Sequence, residues 1–435
     1  MQSRIRMKAG LLRISVAAAM ATCGLAVQAQ SATATAATEI AAGAAGPLGL
    51  RQIFDAAWAR QPEALALQAR RDAARAQQKA ASAWTPAPAV AELSNKTDRL
   101  NRNQGSRELE VGVAVPLWLP GERSRSAALA DAENTAVESR TAAAQLRVAA
   151  NVREAWWAWQ RAQIEADSAR AQLDNSQRIA ADVALRAKAG DLARADQHQA
   201  DGAVASAEAS MAQAEAGLAA ARQRLGALAG AAPASSTAAI ASAEPEPEPE
   251  PGTALPEGET HAALQELKDR ASVAERTAAL TASQSRANPE LVLATTRERG
   301  AYGEANQQSL TLGVRIPFGG GPRHDARSAN ARAEATEAQA QLALERQRLA
   351  SERESARVRV ESSRTQLAAA ERRAQLARES RGFFDKSFRL GETDLPTRLR
   401  IEAEAAEAER QAARTRVELA AAISAWRQAL GLLPQ

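Results

Sequence analysis

Apolar and polar residues alternate strictly in two short stretches of the chain, Leu109–Val115 and Leu310–Ile316. A period of two is typical of a β-strand with one apolar face. A less regular apolar stretch precedes each of them, and a polar loop joins the members of each pair. The pattern therefore predicts two hairpins. Their strands are expected at about 87–95, 107–116, 289–299 and 308–317.

Two much longer stretches, 121–187 and 322–389, read as helix almost without interruption. At a rise of 1.5 Å per residue each would span roughly 100 Å, which is too long for a compact globule. Two adjacent seams of apolar residues recur every seven positions, one of them through Val152, Trp159 and Ala166. This predicts a helix with neighbours on both sides. Further helices are predicted at about 48–83, 194–229, 261–286 and 397–431.

The elements repeat with a constant offset. Each landmark in the first half has a counterpart 201 positions later, which predicts a tandem duplication. The matched pairs are Pro88 with Pro289, Leu109–Pro116 with Leu310–Pro317, and Gly190 with Gly391. The first repeat is expected at 48–230 and the second at 260–435.

Each long helix ends at a glycine followed by an acidic residue. A glycine can take the left-handed position that closes one helix, and Asp or Thr can cap the next. Pro396 suits the first turn of a helix. We therefore predict two helix-turn-helix tips, at about 188–193 and 390–396, at the far ends of the long helices.

The segment between the repeats, 231–259, contains the tract EPEPEPEP. Alternating Glu and Pro favours an extended, self-repelling backbone. We interpret the segment as a linker that acts as an unstructured tether, with a docking motif as the alternative.

The first 29 residues have the features of a secretory signal peptide: four basic residues, an apolar segment and a small-residue cleavage site. Residues 30–47 would follow as a flexible segment. Without residues 1–29, the remaining 51 basic residues equal the 51 acidic ones, so nucleic acid is not an expected partner. The single cysteine, Cys23, lies in the apolar segment, and lipid attachment there is an alternative to cleavage after Ala29.

No constellation of residues suggests catalysis, a cofactor or a metal site, so an enzyme is not expected. The three histidines, His198, His261 and His324, are far apart and lack metal-ligand spacing. Trp156, Trp157 and Trp159 point to different sides of one helix, so we expect packing rather than one stacking platform. Aromatic residues make up only 3% of the chain, which suits long helices that approach closely.

Four strands with an apolar face pose a physical problem. An open sheet leaves unpaired edges, which a bilayer does not tolerate, and four strands are too few to close a barrel. Strands of about ten residues can cross an outer membrane when tilted. The sequence therefore predicts a membrane barrel shared by several chains.

With its duplicated order of helix, hairpin, long helix and return helix, the chain resembles the TolC family of outer membrane efflux proteins. The strand ends GVAVPL and GVRIPF and the Gly-acid breaks support the same resemblance. It implies a mainly α fold in which a homotrimer forms a 12-stranded barrel in outer-membrane lipid, continued by an α-helical periplasmic tunnel. The stretch RLGETDLPTRLRIEAEA looks most like the CzcC-type members. Those members export heavy-metal cations with a periplasmic adaptor and a proton-driven inner-membrane pump.

The resemblance also implies roles for particular residues. The tips would be the periplasmic end that contacts the adaptor and closes the channel. The tip residues are Gly190, Asp191, Leu192, Gly391, Glu392, Thr393, Asp394 and Leu395. Trp118 and Phe318, which follow the strand-ending prolines, would anchor the barrel at the membrane interface. Two alternatives remain: the same channel serving drug efflux or type I secretion, and a periplasmic coiled-coil scaffold without a channel.

Overall fold

The computed structural model describes residues 49–101, 103–230, 246–249, 261–319 and 321–435. Within these ranges the chain forms eight α-helices and four β-strands. The helices are α1 (Leu50–Ala59), α2 (Pro62–Leu65), α3 (Leu67–Ala81), α4 (Glu122–Ala189), α5 (Arg194–Ala229), α6 (Ala262–Ser283), α7 (Gly321–Arg389) and α8 (Leu395–Ala429). The strands are β1 (Val90–Thr97), β2 (Arg107–Pro116), β3 (Glu290–Arg299) and β4 (Gln307–Arg315).

The four strands form one antiparallel sheet in the order β1-β2-β3-β4. The two predicted hairpins therefore lie side by side, and β2 of the first repeat pairs with β3 of the second over its whole length. In this register Val113 faces Leu293, which in turn faces Leu312. The central pairing joins the two repeats at the end of the molecule opposite the tips.

Several strand ends differ from the sequence prediction, two of them near a proline. The first strand begins at Val90 rather than at about 87, and the last ends at Arg315 rather than at 317. Pro88 and Pro317 lie just outside these ends, and a proline has no N–H to donate to a sheet ladder. The alternating pattern therefore extends slightly beyond the paired backbone.

The two faces of the sheet differ sharply in polarity. One face carries rows of exposed aliphatic side chains, including Leu93 at 75% exposure and Leu310 at the same value. The opposite face carries charged side chains, among them Lys96, which pairs with Glu108 at 2.9 Å. An exposed apolar face of this kind requires a cover of lipid or protein.

The long helices form two antiparallel hairpins. Helix α4 has 68 residues and packs along α5, and α7 has 69 residues and packs along α8. Helix α6 contacts both α4 and α7, and α8 also contacts α4. At 1.5 Å per residue the long helices span roughly 100 Å. The return helix α8 begins two residues earlier than predicted because Pro396 fits the first turn, where its missing N–H has no intrahelical acceptor.

The single helix predicted over 48–83 is broken into α1, α2 and α3. Gln61 is extended, with φ −69° and ψ 139°, as is favoured for a residue before proline, and Pro62 starts the next turn. Helix α1 buries Ile53, Phe54 and Ala57 against the middle of α4. The break therefore aims an amphipathic helix at the largest apolar cluster of the molecule.

That cluster contains the three tryptophans of α4. Trp156, Trp157 and Trp159 are at most 4% exposed, which confirms the expectation that they pack. They are not wholly separate, however, because the rings of Trp156 and Trp159 meet at 5.2 Å between centroids. Residues three apart on a helix share a face. The expectation that the three side chains point to different sides is therefore corrected for Trp156 and Trp159.

The tether interpretation does not hold for the part of the linker that is described. Residues 246–249 pack against the helices, and the Glu246 side chain is 5% exposed. The other linker residues, the signal peptide with Cys23, and the segment 30–47 lie outside the described residues. None of the helices in the described ranges combines the length and the apolarity that a membrane crossing requires.

Candidate functional site at the helical tips

The two tips have nearly the same backbone. Gly190 and Gly391 are both left-handed, with φ of 89° and 80°. Each following N–H reaches back to the helix, Asp191 to the Arg186 carbonyl and Glu392 to the Ser387 carbonyl, both at 3.0 Å. This arrangement ends a helix with its last carbonyls satisfied. The glycine prediction is therefore confirmed at both turns.

The N-terminal cap of the return helix differs between the tips. In the first tip the cap position is Ala193, which has no polar side chain, and Asp196 reaches back to accept from the Ala193 N–H at 3.1 Å. In the second tip Asp394 itself caps the helix and accepts from the Thr397 N–H at 3.2 Å. The hydrogen bonds from Thr397 hold the pKa of Asp394 below its usual value.

Both tips contain the dipeptide Asp-Leu, but the two dipeptides do not occupy structurally equivalent positions. The cap residues Ala193 and Asp394 are 201 positions apart and have the same extended backbone, with ψ of 156° and 161°. Asp191 therefore corresponds to Glu392, and Leu192 to Thr393. The expectation that an acidic residue caps both helices holds only for the second tip.

The tip leucines point inward. Leu395 is 2% exposed and packs with Phe388, Ile179 and Val183, and Leu192 lies against the same cluster. Leu395 is consequently an anchor that joins the two hairpins, and its side chain is not on the surface where an adaptor could touch it. This corrects the expectation for Leu395.

Phe388 lies at the centre of this anchor. Its buried ring is covered by the guanidinium of Arg186 at 5.0 Å and by that of Arg398 at 4.6 Å. Arg398 also donates to Asp385 at 2.8 Å and pairs with Asp182 at 3.5 Å. One arginine thus connects α4, α7 and α8 just above the tips. This element was not predicted from the sequence, although three phenylalanines close together in an Ala-Arg-Glu run could have signalled it.

A polar groove of about 860 Å³ opens above the anchor, between α4, α7 and α8. Arg381 on its wall pairs with Glu402 at 3.4 Å and with Glu409 at 3.3 Å. Burial raises the pKa of Glu402, and the charges of Arg381 and Arg398 oppose that rise. The groove is lined by alternating charges rather than by the apolar surface typical of a small-molecule site.

The groups exposed at the ends of the tips are glycine backbone and carboxylate side chains. Gly190, Asp191, Gly391, Glu392 and Asp394 are exposed. Thr393 is partly buried, and its hydroxyl lies 2.6 Å from that of Ser387. The exposed part of the candidate site is therefore smaller than the predicted set, and it is acidic.

At the opposite end, the two predicted anchors have different surroundings. Phe318 is 88% exposed. Trp118 is partly buried, and its indole N–H donates to the Ala83 carbonyl at 3.2 Å. Trp118 therefore also fixes the end of the first helical segment against the start of α4.

The turn between β2 and α4 contains a further buried residue that was not predicted from the sequence. Glu122 is 2% exposed and accepts hydrogen bonds from the Leu119 N–H at 2.9 Å, Gln284 at 2.8 Å and Asn288 at 2.6 Å. It joins the β2–α4 turn to the segment before β3. The spacing of Leu119 and Glu122, which matches the reach of a capping-box acid, was the available signal.

The three histidines do not meet. His198 is exposed, and His261 caps α6 by accepting from the Ala263 N–H at 3.3 Å. Among the described residues, no group of three or more His, Cys, Asp and Glu side chains is arranged to hold a metal ion. The candidate site is therefore the pair of tips.

Residues 53–231 match the sequence model of the family described as outer membrane efflux protein. The first repeat is thus similar in sequence to that family. The match ends at the border with the linker, and the second repeat has the same order of elements by structure. No curated protein sequence matches the chain.

Solved outer membrane proteins share the fold of 88–90% of the chain. VceC from Vibrio cholerae superposes with a TM-score of 0.69 and 17% identity, covering 88% of this chain and 96% of VceC. CusC gives 0.69 and 16%, covering 90% and 95%, and the outer-membrane channel OprN gives 0.68 and 22%, covering 88% and 89%. The mainly helical, duplicated, TolC-like fold is therefore confirmed.

Proposed function

We propose that three copies of this chain form an outer-membrane exit duct that works with a periplasmic adaptor and an inner-membrane pump. The single observation that carries the proposal is the sheet, whose apolar face is exposed and whose other face is polar. That distribution is inverted relative to a water-soluble protein. It suits a wall with lipid outside and water inside.

Closure requires more than one copy. Strands β1 and β4 are the edges of the sheet, and each would leave a row of backbone groups unpaired in lipid. Pairing β4 of one copy with β1 of the next removes these edges, and three copies give twelve strands. The helical hairpins, roughly 100 Å long, would continue the wall into the periplasm.

A matched pair of substitutions tests the membrane part. Leu312 lies on the apolar face, and Thr311, its neighbour, lies on the polar face opposite Ala294. Leu312→Arg should destabilise the inserted protein by about 2–4 kcal/mol and reduce the heat-modifiable trimer in outer-membrane fractions, whereas Thr311→Arg should leave the trimer in place. If both variants fractionate with the periplasm, as does the unmodified chain, the coiled-coil scaffold is the correct alternative.

We further propose that the exposed tip residues contact the adaptor and form the closing end. The support is their position at the far end of both hairpins and their exposure, which extends over Gly190, Asp191, Gly391, Glu392 and Asp394. Leu192, Thr393 and Leu395 would support that surface from behind.

Charge reversal separates the tip role from assembly. Asp191→Lys combined with Glu392→Lys should abolish efflux-dependent resistance while leaving the trimer and its insertion unchanged, because neither residue has a side-chain partner among the described residues. Glu379→Lys, on an exposed face of α7, is the matched control and should retain resistance. Full resistance in the double variant would contradict the tip proposal without affecting the channel proposal.

For the cargo we propose heavy-metal cations. The support is the resemblance of the second tip to CzcC-type members and the acidic tip surface, which threefold symmetry would repeat as a ring that favours cations. Purified protein in planar bilayers should prefer cations. Asp191→Asn with Glu392→Gln should reduce that preference, measured as the reversal potential in a salt gradient.

Cells that lack the gene should lose tolerance to zinc or cadmium and regain it on complementation. Loss of tolerance to drugs alone, or loss of a secreted polypeptide, would assign the duct to drug efflux or type I secretion instead.

A further inference from the structure

The Glu-Pro tract between the repeats enters the helical body at one point. Glu246 is 5% exposed, although it belongs to a run in which Glu244, Glu246, Glu248 and Glu250 alternate with proline. A carboxylate at this depth must be paired to be tolerated. The side chains that contact Glu246 therefore identify the site that recognises the tract.

The partners form a socket of two buried arginines and a serine. Arg153 of α4 donates to Glu246 twice, from Nη2 at 2.7 Å and from Nε at 2.9 Å. The Nε of Arg427 on α8 lies 3.3 Å from the same carboxylate, and the Ser424 hydroxyl donates to it. A two-point contact from an arginine to a carboxylate is among the strongest and most directional pairings in proteins.

The socket is itself held in place from behind. Arg153 Nη1 donates to the Gln428 side chain at 2.5 Å and to the Leu432 carbonyl at 3.0 Å. Gln428 in turn donates to the Leu146 carbonyl of α4 at 2.9 Å. The arginine is therefore oriented before the carboxylate arrives, as expected of a built binding site.

Charge balance explains why the socket needs an anion. Arg153 and Arg427 are each 4% exposed, and one carboxylate serves both. Removing that carboxylate would leave two buried cations next to each other without a counter-charge, which is strongly unfavourable. Burial and the charge of Arg153 already lower the pKa of Arg427.

The residues after Glu246 add contacts that depend on the Glu-Pro spacing. The Pro247 carbonyl accepts from Arg427 Nη1 at 2.8 Å, and Glu248 pairs with Arg364 on the surface of α7. A proline on each side keeps the backbone extended, so little conformational entropy is lost on docking. The docked segment touches α4 of the first repeat and α7 and α8 of the second.

We propose that Arg153, Ser424 and Arg427 form an anion-binding socket whose ligand is an acidic, proline-spaced peptide, supplied by the chain's own linker as Glu246–Pro249. The docked segment is a clasp that fastens the two repeats to each other at the middle of the long helices. This inference does not depend on the function proposed above.

The test uses the full chain with Glu244, Glu246, Glu248 and Glu250 all replaced by Gln. The melting temperature should fall by roughly 5 °C, and sulfate should raise it more than in the unmodified chain, because an anion can enter the vacated socket. The matched control is Glu248→Gln alone, which removes only the exposed pair with Arg364 and should melt within about 1 °C of the unmodified chain.

The decisive measurement adds the tract to the fourfold variant as a separate peptide. An EPEPEPEP peptide should restore the lost stability of the fourfold variant and change the fluorescence of Trp426 and Trp156, which neighbour the socket in sequence. A QPQPQPQP peptide should do neither. Should the fourfold variant fail to fold, Glu246→Gln is measured instead with the same peptides. A melting temperature of the fourfold variant, or of Glu246→Gln, equal to that of the unmodified chain would overturn the proposal, as would equal rescue by the two peptides.

Discussion

The two tips show how one backbone can be maintained by different chemistry. Both turns use a left-handed glycine and the same spacing from that glycine to the cap of the return helix. The first turn is closed by a carboxylate that reaches back from Asp196, and the second by the cap residue Asp394. Only the second is tied to the other hairpin by a buried ring, Phe388, and by Arg398. The two turns therefore share a shape, while the buried ring that connects the hairpins comes from the second alone.

The largest effect should come from Phe388. We expect Phe388→Ala to destabilise the second tip by about 3–5 kcal/mol, because it removes a buried ring and the surface that two arginines cover. Amide hydrogen exchange should accelerate over residues 383–400. Phe383→Ala, at a ring that is 69% exposed, is the control and should have little effect. Similar exchange in the two variants would remove the proposed difference between the tips.

The glycines should behave alike. Because a Cβ at Gly190 or at Gly391 would meet no atom within 4 Å, alanine at either position suffers only the left-handed backbone, which costs about 1–2 kcal/mol. Local exchange at each tip should increase to the same extent. Gly382→Ala, in the interior of α7 and equally free of contacts, should instead stabilise the protein by about 0.5–1 kcal/mol. Unequal results at the two tips would break the equivalence of the turns.

The caps should differ in a smaller way. Asp394→Ala removes the acceptor of the Thr397 N–H, so exchange in the first turn of α8 should rise a few-fold. Asp191→Ala should leave the first turn of α5 unchanged, since Asp191 does not cap it. A larger effect at Asp191 would mean that the sequence alignment of the two Asp-Leu pairs is right and the structural one is wrong.

The smallest effect concerns acid. The folded-state pKa of Asp394 is lowered, so its contribution is complete above the unfolded value of about 3.9 and is lost as the pH falls through the lower folded value. Exchange in the first turn of α8, measured from pH 5 downward and corrected for the intrinsic rate, should therefore rise on acidification. Asp394→Asn should remove that rise.

The sequence predicted those parts of the fold that follow from local rules. The 201-residue offset, the alternating strands and the uninterrupted helices depend on residues close together in the chain, and the structure agrees with them to within a few residues. The end-points moved where a proline forbids a hydrogen bond or favours a first turn, as at Pro88 and Pro396.

What the sequence did not predict depends on contacts between distant residues. Nothing near Leu395 indicates that its side chain is covered by α4, and nothing near Glu246 points to Arg153, 93 residues earlier. Asp191 and Asp394 are the same residue type and both are followed by Leu. Only their position relative to the first turn of the return helix decides that Asp394 caps its helix and Asp191 does not. These distinctions arise from how the helices meet, and composition and periodicity do not contain that information.

Because of the buried Glu122, the strand pairings in the proposed ring would be of two kinds, those between β2 and β3 within one copy and those between neighbouring copies. Within one copy, Glu122 bonds to Gln284 and Asn288 and so ties β2 to the segment before β3. The positions 201 residues after Glu122 and before Asn288 are Arg323 and Ala87, which cannot repeat this arrangement. In a closed ring of three copies, three tied joints would alternate with three untied ones. Under mechanical load or mild detergent the ring would then part between copies before any single copy came apart.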